Sequence, residues 1–369
     1  VRAVPRRTVG IVGAGQLGRM LALAGYPLGV TCRLLDRAAE APGAQVADIV
    51  LGELDDVEAL GRLAEGVDVL TFEIENVPVS ALESVERVPV FPPPAAVGAA
   101  QDRLTEKRLF QSLGIPTAPY VPVEQASDLD AVATLGLPVV LKARRLGYDG
   151  RGQRIVRSAR ELPGAWEELD RVPAIAESWI SFERELSLIG VQGADAAREF
   201  YPLAENVHRD GILHTTVAPY ADATLERKAR GWLASLMSAL DYRGVLTVEF
   251  FQTADGLIAN EMAPRVHNSG HWTIEGAETS QFENHLRAVL GWPLGSTRAR
   301  GHAAMLNLLG SLPAPATVLA IEGAHFHDYG KSPRPKRKIG HCTLVDADRG
   351  RLLTRFNALQ HALGGENRI

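Results

Sequence analysis

The sequence predicts an α/β protein that opens on a doubly wound parallel sheet and continues into a larger region of mixed strands and helices. Three observations carry that expectation. The stretch VGIVGAGQLGRM, residues 9–20, is a buried apolar run followed by a glycine-rich turn and the start of a helix. Strand-like and helix-like segments then alternate through the first hundred residues, the βαβ rhythm of a parallel sheet. Beyond them, short apolar strands alternate with glycine-rich or polar loops.

In chain order, residues 9–12, 31–35, 49–51, 67–73 and 88–91 read as strands, with helices at 16–24 and 57–65 between them. FPPPAAVG, residues 91–98, stops this pattern, since consecutive prolines continue neither a helix nor a central strand. A domain boundary is expected near residue 100. Residues 102–113 read as a helix that ends at Gly114, with Pro116 just beyond. LPVVLK at 137–142 is a strand, and the glycine-rich, basic ARRLGYDGRGQRIV returns to a strand at 154–156. Residues 174–179 and 184–190 are further strands. YRGVLTVEFF and GLIANEM, at 242–251 and 256–262, form a hairpin turning near Asp255 and Gly256. From residue 298 the chain reads as a small β-rich tail. The expected division is thus 1–100, 101–297 with a small lid at about 116–180, and 298–369.

The 369 residues are 46% hydrophobic and 22% charged, an ordinary globular composition with chain enough for two or three domains. A net charge of −5 gives no basic field for nucleic acid. No run of about 18 apolar residues is present to span a membrane, and no signal peptide is recognised. Two cysteines, Cys32 and Cys342, make neither a metal motif nor a disulfide framework, so a reduced, cytoplasmic compartment is expected.

Several residues point to chemistry. Lys142 closes an apolar strand, where its ammonium can reach a phosphate. Arg103 and Lys107 share one face of the preceding helix, four residues apart. LGYDGRGQ, with Gly147, Tyr148, Asp149, Gly150, Arg151, Gly152 and Gln153, offers many donors from a loop able to fold over phosphates. In ESWISFERELSLIG, the backbone of Ser178, Trp179 and Ile180 is suited to an adenine edge and Glu185 to ribose hydroxyls. Glu249 and the pair Asn260–Glu261 face one another across the expected hairpin. Two carboxylates so placed repel unless a cation lies between them, and Mg²⁺ takes one or two carboxylates together with phosphate oxygens. Arg265, His267, Asn268, Ser269 and His271 follow in a loop crowded with donors. Taken alone, the first glycine loop and Asp36 equally suit a nicotinamide dinucleotide.

Together these motifs resemble the ATP-grasp enzymes, and within them the N5-carboxyaminoimidazole ribonucleotide synthetases of bacterial purine biosynthesis. The resemblance runs in order along nearly the whole chain, through GAGQLGRM, TFEIENV, QDRLTEK, LK…GYDGRGQ, RELS, ENVHRDGILHTTVAP, VEFF…NEMAPRVHNSGH and YGKSPRPKRKIGH. It departs from the usual pattern mildly: GAGQLG stands for GGGQLG, and Ser178 and Trp179 replace two residues of the adenine segment.

The resemblance implies an ATP-grasp fold and a ligase that uses ATP, bicarbonate and 5-aminoimidazole ribonucleotide, passing through carboxyphosphate. It implies two Mg²⁺ ions, with Mn²⁺ as a substitute, and a homodimer. Arg103, Lys107, Lys142, residues 147–153, residues 177–180, Glu185, His208, Asn260 and Glu261 are implied for the nucleotide, with Glu249 and Glu261 as metal ligands. Gly15, Gln16 and Leu17 of the glycine loop, with Glu73 and Asn76, are implied for the ribonucleotide rather than a dinucleotide. Tyr148, Asp149, Arg151, Asn268, Ser269, His271, Lys331, Arg337 and Lys338 complete that pocket. Lys142, Arg265 and His271 are the expected catalytic groups, the last two on bicarbonate. Formate-dependent glycinamide ribonucleotide transformylase, another ATP-grasp enzyme, is the alternative.

Overall fold

In the computed structural model, which describes residues 6–147 and 152–364, the first unit is a four-stranded parallel sheet. Its strands are β1 (Thr8–Val12), β2 (Thr31–Asp36), β3 (Asp48–Leu51) and β4 (Val69–Phe72), in spatial order β3-β2-β1-β4. β1 pairs with β2 and β4 along its two edges, and its side chains enter separate apolar clusters on its two faces, which is why its sequence is an unbroken apolar run. The expected strand at 88–91 is reduced to a single bridge between Leu70 and Val90. Pro89 and Pro92 bracket it and have no N–H to give a ladder. Pro94 then opens a helix, Pro94–Gln101, that was not expected: at the first helical position a missing N–H costs nothing.

The segment expected to form a lid folds as a four-stranded antiparallel sheet. It comprises β5 (Tyr120–Val123), β6 (Val139–Ala143), β7 (Gln153–Val156) and β8 (Ala174–Ser178), in order β5-β8-β6-β7. Its own small core includes Val139, Leu141, Trp166 and Ala176.

The rest of the chain builds one nine-stranded sheet from β9 (Arg184–Gln192), β10 (Arg198–Phe200), β11 (Ala204–Arg209), β12 (Ile212–Ala218), β13 (Gly244–Thr253), β14 (Gly256–Ala263), β15 (His302–Leu309), β16 (Ala324–Asp328) and β17 (Lys338–Asp346). The order is β14-β13-β9-β11-β12-β15-β17-β16, with β10 on β9. The C-terminal strands therefore do not close on themselves but extend the central sheet through the antiparallel pair β12–β15. The tail ends in a helix, Arg349–Ala362, rather than in strands. Asp348 caps it by accepting the Arg351 N–H at 2.8 Å, and Leu352, Phe356 and Leu359 bury one face at helical spacing. Among the described residues no helix is long and apolar enough to cross a membrane.

Helices Gln16–Gly25 and Gln281–Leu290 lie between the first sheet and the central one, and one apolar cluster spans both. His285 pins this junction. Its Nδ1 accepts the Val245 N–H at 3.2 Å, which leaves Nε2 to donate to the Thr71 hydroxyl at 2.7 Å. Burial pushes the imidazole down to about 3, so it stays neutral. His285→Phe keeps the volume but strands a buried hydroxyl and a buried amide. We expect a loss of about 2–4 kcal/mol in urea unfolding, whereas a loss below about 0.5 kcal/mol would mean that the two groups find other partners.

Candidate active site

The hairpin β13–β14 places Glu249 directly opposite Glu261, as the alternation of side chains along two antiparallel strands requires. The ladder slips just after Glu249, at Phe250. The two carboxylates are held unequally. Glu261 opens onto the cleft and accepts from Arg103 Nη1 at 3.0 Å; burial works against its charge, but Arg103 outweighs burial and holds its pKa low. Burial raises that of Glu249, against the pull of His208, and Glu261 and Glu185 add to the rise. The side-chain carbonyl of Asn260, next along the strand, is buried with no hydrogen-bond partner among the described residues. A carboxylate pair, one member of which resists ionisation, beside an orphaned oxygen is a donor set that fits a hard cation.

The helix Arg103–Ser112 brings Lys107 under this hairpin, where its ammonium donates to the Asn260 carbonyl at 2.8 Å. Lys142, on β6, reaches the same place from the lid. Both ammonium groups meet one carboxylate: Glu177 Oε2 lies 3.0 Å from Lys142 Nζ and 3.5 Å from Lys107 Nζ. Glu177 and Lys107 are almost fully buried. Burial disfavours the Glu177 charge, but the two lysines outweigh it and pull the carboxyl down to about 2. The Glu177 side chain is thus the counter-ion of the two lysines.

In the adjoining segment, the N–H groups of Ser178 and Trp179 are spent on the carbonyls of Pro119 and Pro138, at 2.9 and 3.1 Å. Trp179 is exposed and Ile180 half-buried. On β9, Glu185 accepts from His208 Nδ1 at 2.9 Å across the sheet. Burial opposes the charge on His208, yet Glu185 and Glu249 bring the imidazole up to about 9, so it is protonated at neutral pH. Gly147 accepts from Arg103 Nη2 at 3.3 Å, and Gln153 pairs with Lys142 across β6 and β7. The Gly152 carbonyl accepts the Ala143 N–H at 2.8 Å. Tyr148, Asp149, Gly150 and Arg151 lie outside the described residues.

A cavity of about 700 Å³ runs from this cluster to the first sheet. Gln16, Leu17, Glu73, Asn76, Arg103, Glu249, Glu261, Arg265, Asn268, Lys331, Arg337 and Lys338 all line it. The glycine loop holds an unexpected occupant: Glu73 accepts the N–H of Gly15 and, at 2.6 Å, that of Gly18. A Cβ on Gly15 would sit 2.5 Å from the Glu73 carboxylate, which is why the loop needs glycine there. The Gly15 N–H, expected to face the substrate, is thus given to Glu73 in this structure. Asp36 braces the same loop by accepting the Ala14 N–H at 3.2 Å. Lys331 donates to the Gln16 side chain.

Arg265 is forked on Glu75, with Nε to Oε2 at 2.6 Å and Nη2 to Oε1 at 3.0 Å. His271 is not among the residues that line the cavity. It is fully buried among Phe282, Tyr329 and His341, and neither ring nitrogen has a hydrogen-bond partner among the described residues. Ser269 is buried with its hydroxyl on His267 Nδ1, at 2.9 Å. The histidine on the cavity wall is His267, whose Nε2 lies 3.6 Å from Glu249. Asn268 is locked to Asn307 by two reciprocal amide bonds of 3.0 and 2.7 Å.

Sequence reading missed Glu75, Glu106, Arg144, Asn307 and Arg334 as part of this environment. All but Asn307 line the cavity. Glu75 lies beyond β4, which ends at Phe72, so no strand pattern pointed to it. Glu106 sits between Thr105 and Lys107 on the same helix; it is buried and accepts the Met262 N–H at 2.6 Å.

Replacing Glu177 with Gln leaves two lysines without their counter-charge. We expect a loss of about 3 kcal/mol at neutral pH. Because the folded carboxyl is depressed, its contribution is complete above about pH 5. It fades as pH falls from 4.5 towards 2, so the wild-type advantage over Glu177→Gln in urea unfolding narrows across that window. An advantage unchanged across that window would contradict the pairing.

Three family models match in order. The ribonucleotide synthetase preATP-grasp domain covers residues 6–101 and the ATP-grasp domain 108–282, and the phosphoribosylaminoimidazole carboxylase C-terminal domain covers 303–355. The chain is 48% identical over 350 residues to an N5-carboxyaminoimidazole ribonucleotide synthase of Pseudomonas aeruginosa, covering 94% of this chain and 97% of that one. It is 40% identical to one of Escherichia coli over 362 residues, covering 96% and 94%. A solved N5-carboxyaminoimidazole ribonucleotide synthetase of Thermus thermophilus superposes with a TM-score of 0.94 at 51% identity, covering 98% of this chain and 100% of that one. An Aspergillus clavatus N5-carboxyaminoimidazole synthase, solved with ADP and 5-aminoimidazole ribonucleotide, gives 0.90 at 34% identity, covering 97% and 99%. The ATP-grasp fold expected from the motifs is thus present, and the chain belongs to the N5-carboxyaminoimidazole ribonucleotide synthase family of ATP-grasp proteins.

Proposed function

We propose that this protein carboxylates the amine of 5-aminoimidazole ribonucleotide with bicarbonate at the expense of ATP, giving the N5-carboxylated ribonucleotide, ADP and phosphate. The observation that carries the reading is the continuous cavity that joins the Glu249–Glu261 pair to the basic segment Lys331–Lys338. The family supports it, and its Aspergillus member was solved in complex with this ribonucleotide. Residues 1–100, 101–297 and 298–369 are read as the substrate, ATP-grasp and C-terminal units of one enzyme.

In this reading ATP lies between the lid and the central sheet. Glu185 receives the ribose, and Arg103, Lys107 and Lys142 neutralise the phosphates. Glu249, Glu261 and Asn260 would hold Mg²⁺, for which Mn²⁺ could substitute; the metal would supply charge to the β- and γ-phosphates. Bicarbonate attacks the γ-phosphorus, and its oxygen becomes the bridge of carboxyphosphate as ADP leaves. Arg265, His267 and Lys338, all on the cavity wall, are placed to orient the anion. His267 is neutral, since burial and the nearby Arg265 push it down to about 3, so its ring can donate without adding charge. The ribonucleotide amine then takes the carboxyl group and phosphate departs. Its own phosphate is assigned to Lys331, Arg334 and Arg337, with the backbone at Gln16 and Leu17. Glu73 meets the ribose or the base. Assembly as a homodimer and a cytoplasmic location belong to the same proposal.

ADP and phosphate release with Mg-ATP and bicarbonate should rise at least tenfold on adding 5-aminoimidazole ribonucleotide. Formate with glycinamide ribonucleotide should give no stimulation. Stimulation by the second pair alone would overturn the substrate assignment in favour of a transformylase. Glu249→Gln should lower ribonucleotide-dependent turnover by about 10²-fold or more. Gly15→Ala displaces the Glu73 carboxylate and should raise KM for the ribonucleotide about tenfold, about 1.4 kcal/mol, with KM for ATP within twofold. An equal rise in both would place Glu73 outside the ribonucleotide site.

A further inference from the structure

We propose that Asp102 is a positioning residue for the bound nucleotide: its carboxylate fixes the segment 144–147, which leads out of β6, against the first turn of the helix that carries Arg103 and Lys107. The inference rests on the reading above only in placing the nucleotide in this cleft.

Asp102 does not line the cavity; it is 3% exposed, and its carboxylate accepts from four residues. As the cap of the helix Arg103–Ser112, its Oδ1 accepts the N–H groups of Leu104 and Thr105, at 3.0 and 3.4 Å. It also takes the fork of Arg144, with Nε to Oδ1 at 3.0 Å and Nη2 to Oδ2 at 2.7 Å. Arg145 Nε reaches Oδ2 at 3.3 Å. The backbone closes the clamp in the other direction, since the Arg103 N–H donates to the Arg144 carbonyl at 3.0 Å.

A cap alone needs one oxygen and one or two amides. The additional fork joins two elements that share no sheet: the lid strand that ends in Lys142 and Ala143, and the helix under the β13–β14 hairpin. A planar guanidinium bound at two oxygens fixes orientation as well as distance, which a lysine in that place would not. The next residue but one bears the consequence. Leu146 is 74% exposed and has a φ of +64°, a backbone region that branched, non-glycine residues rarely enter unless their surroundings impose it. Immediately after it, the Gly147 carbonyl receives the Arg103 guanidinium at 3.3 Å. Asp102 therefore sets where Arg144 and Gly147 stand relative to Arg103 and Glu261. The outer pair of Arg144 with Glu124, at 2.8 Å, is largely solvated and adds little.

Calorimetric titration of Mg-ADP tests this without any ribonucleotide, so its failure is separate from failure of the substrate assignment. The variants are Asp102→Asn, Arg144→Gln and the pair together. Asn caps a helix as well as Asp does, so the helix start survives. We expect Asp102→Asn to weaken ADP binding about 5–10-fold, and the double variant to be no more than about twofold weaker than Arg144→Gln, because both changes break the same clamp. Amide exchange supplies a second readout: the Arg103 N–H, which donates to Arg144, should exchange faster in Asp102→Asn, although unfolding in urea remains cooperative. Binding within twofold of wild type, or losses that multiply in the double variant, would overturn the proposal. Should Asp102→Asn fail to fold, Arg144→Lys takes its place: it keeps the charge and loses the fork, and the same faster exchange at Arg103 is expected. Unchanged exchange there would overturn the proposal.

Discussion

One buried carboxylate holds the cleft together. Glu177 comes from the lid, Lys142 from the neighbouring lid strand and Lys107 from the helix beneath the hairpin. Three charged side chains are taken out of water at one point, and the arrangement is tolerable only because the charges compensate one another. The same contact brings lysines from two different elements to the place where the proposed function puts the phosphates of a nucleotide. Arg103 on Glu261, one turn away, repeats the device at the edge of the cleft. The cation–carboxylate pairing that stabilises this cleft is therefore the arrangement that bound phosphates and metal would rearrange.

The glycine loop illustrates how one motif can serve different ends. Its tight turn and helix N-terminus are the features that cradle a pyrophosphate in dinucleotide-binding proteins. Here two of its amides are occupied by Glu73, from the end of the neighbouring strand β4. The helix start is thereby partly neutralised, and Asp36 is turned inward to brace the loop instead of facing a ribose. What is left to a ligand is the next turn, Gln16 and Leu17, beside Lys331. That remnant suits one phosphate of a ribonucleotide better than a dinucleotide.

Much of this was legible in the sequence, for identifiable reasons. β1, β9, β13 and β14 were readable because long apolar or alternating runs leave little choice of period. The opposition of Glu249 and Glu261 followed from a hairpin with a recognisable turn. What was not legible depends on contacts between distant segments. Nothing local says that Glu177 answers to Lys107, 70 positions earlier, or that Arg265 is paired with Glu75. His267 and His271 are both donors in one polar loop, and only the packing of Phe282, Tyr329 and His341 around His271 decides which of them reaches the cavity. The final helix was missed although Asp348 and the 352/356/359 spacing signalled it. The continuity of β15 with β12 was not available from local pattern at all.

The account stands or falls on the fate of one oxygen atom. If bicarbonate attacks the γ-phosphate in this cleft, one of its oxygens is left on the phosphate released. Turnover with ¹⁸O-labelled bicarbonate, ATP and 5-aminoimidazole ribonucleotide should yield inorganic phosphate carrying one labelled oxygen, read by mass spectrometry or by the isotope shift of its ³¹P resonance. Phosphate released without label, in step with ADP, would mean that water or another acceptor takes the phosphoryl group, and the carboxyphosphate route would be wrong.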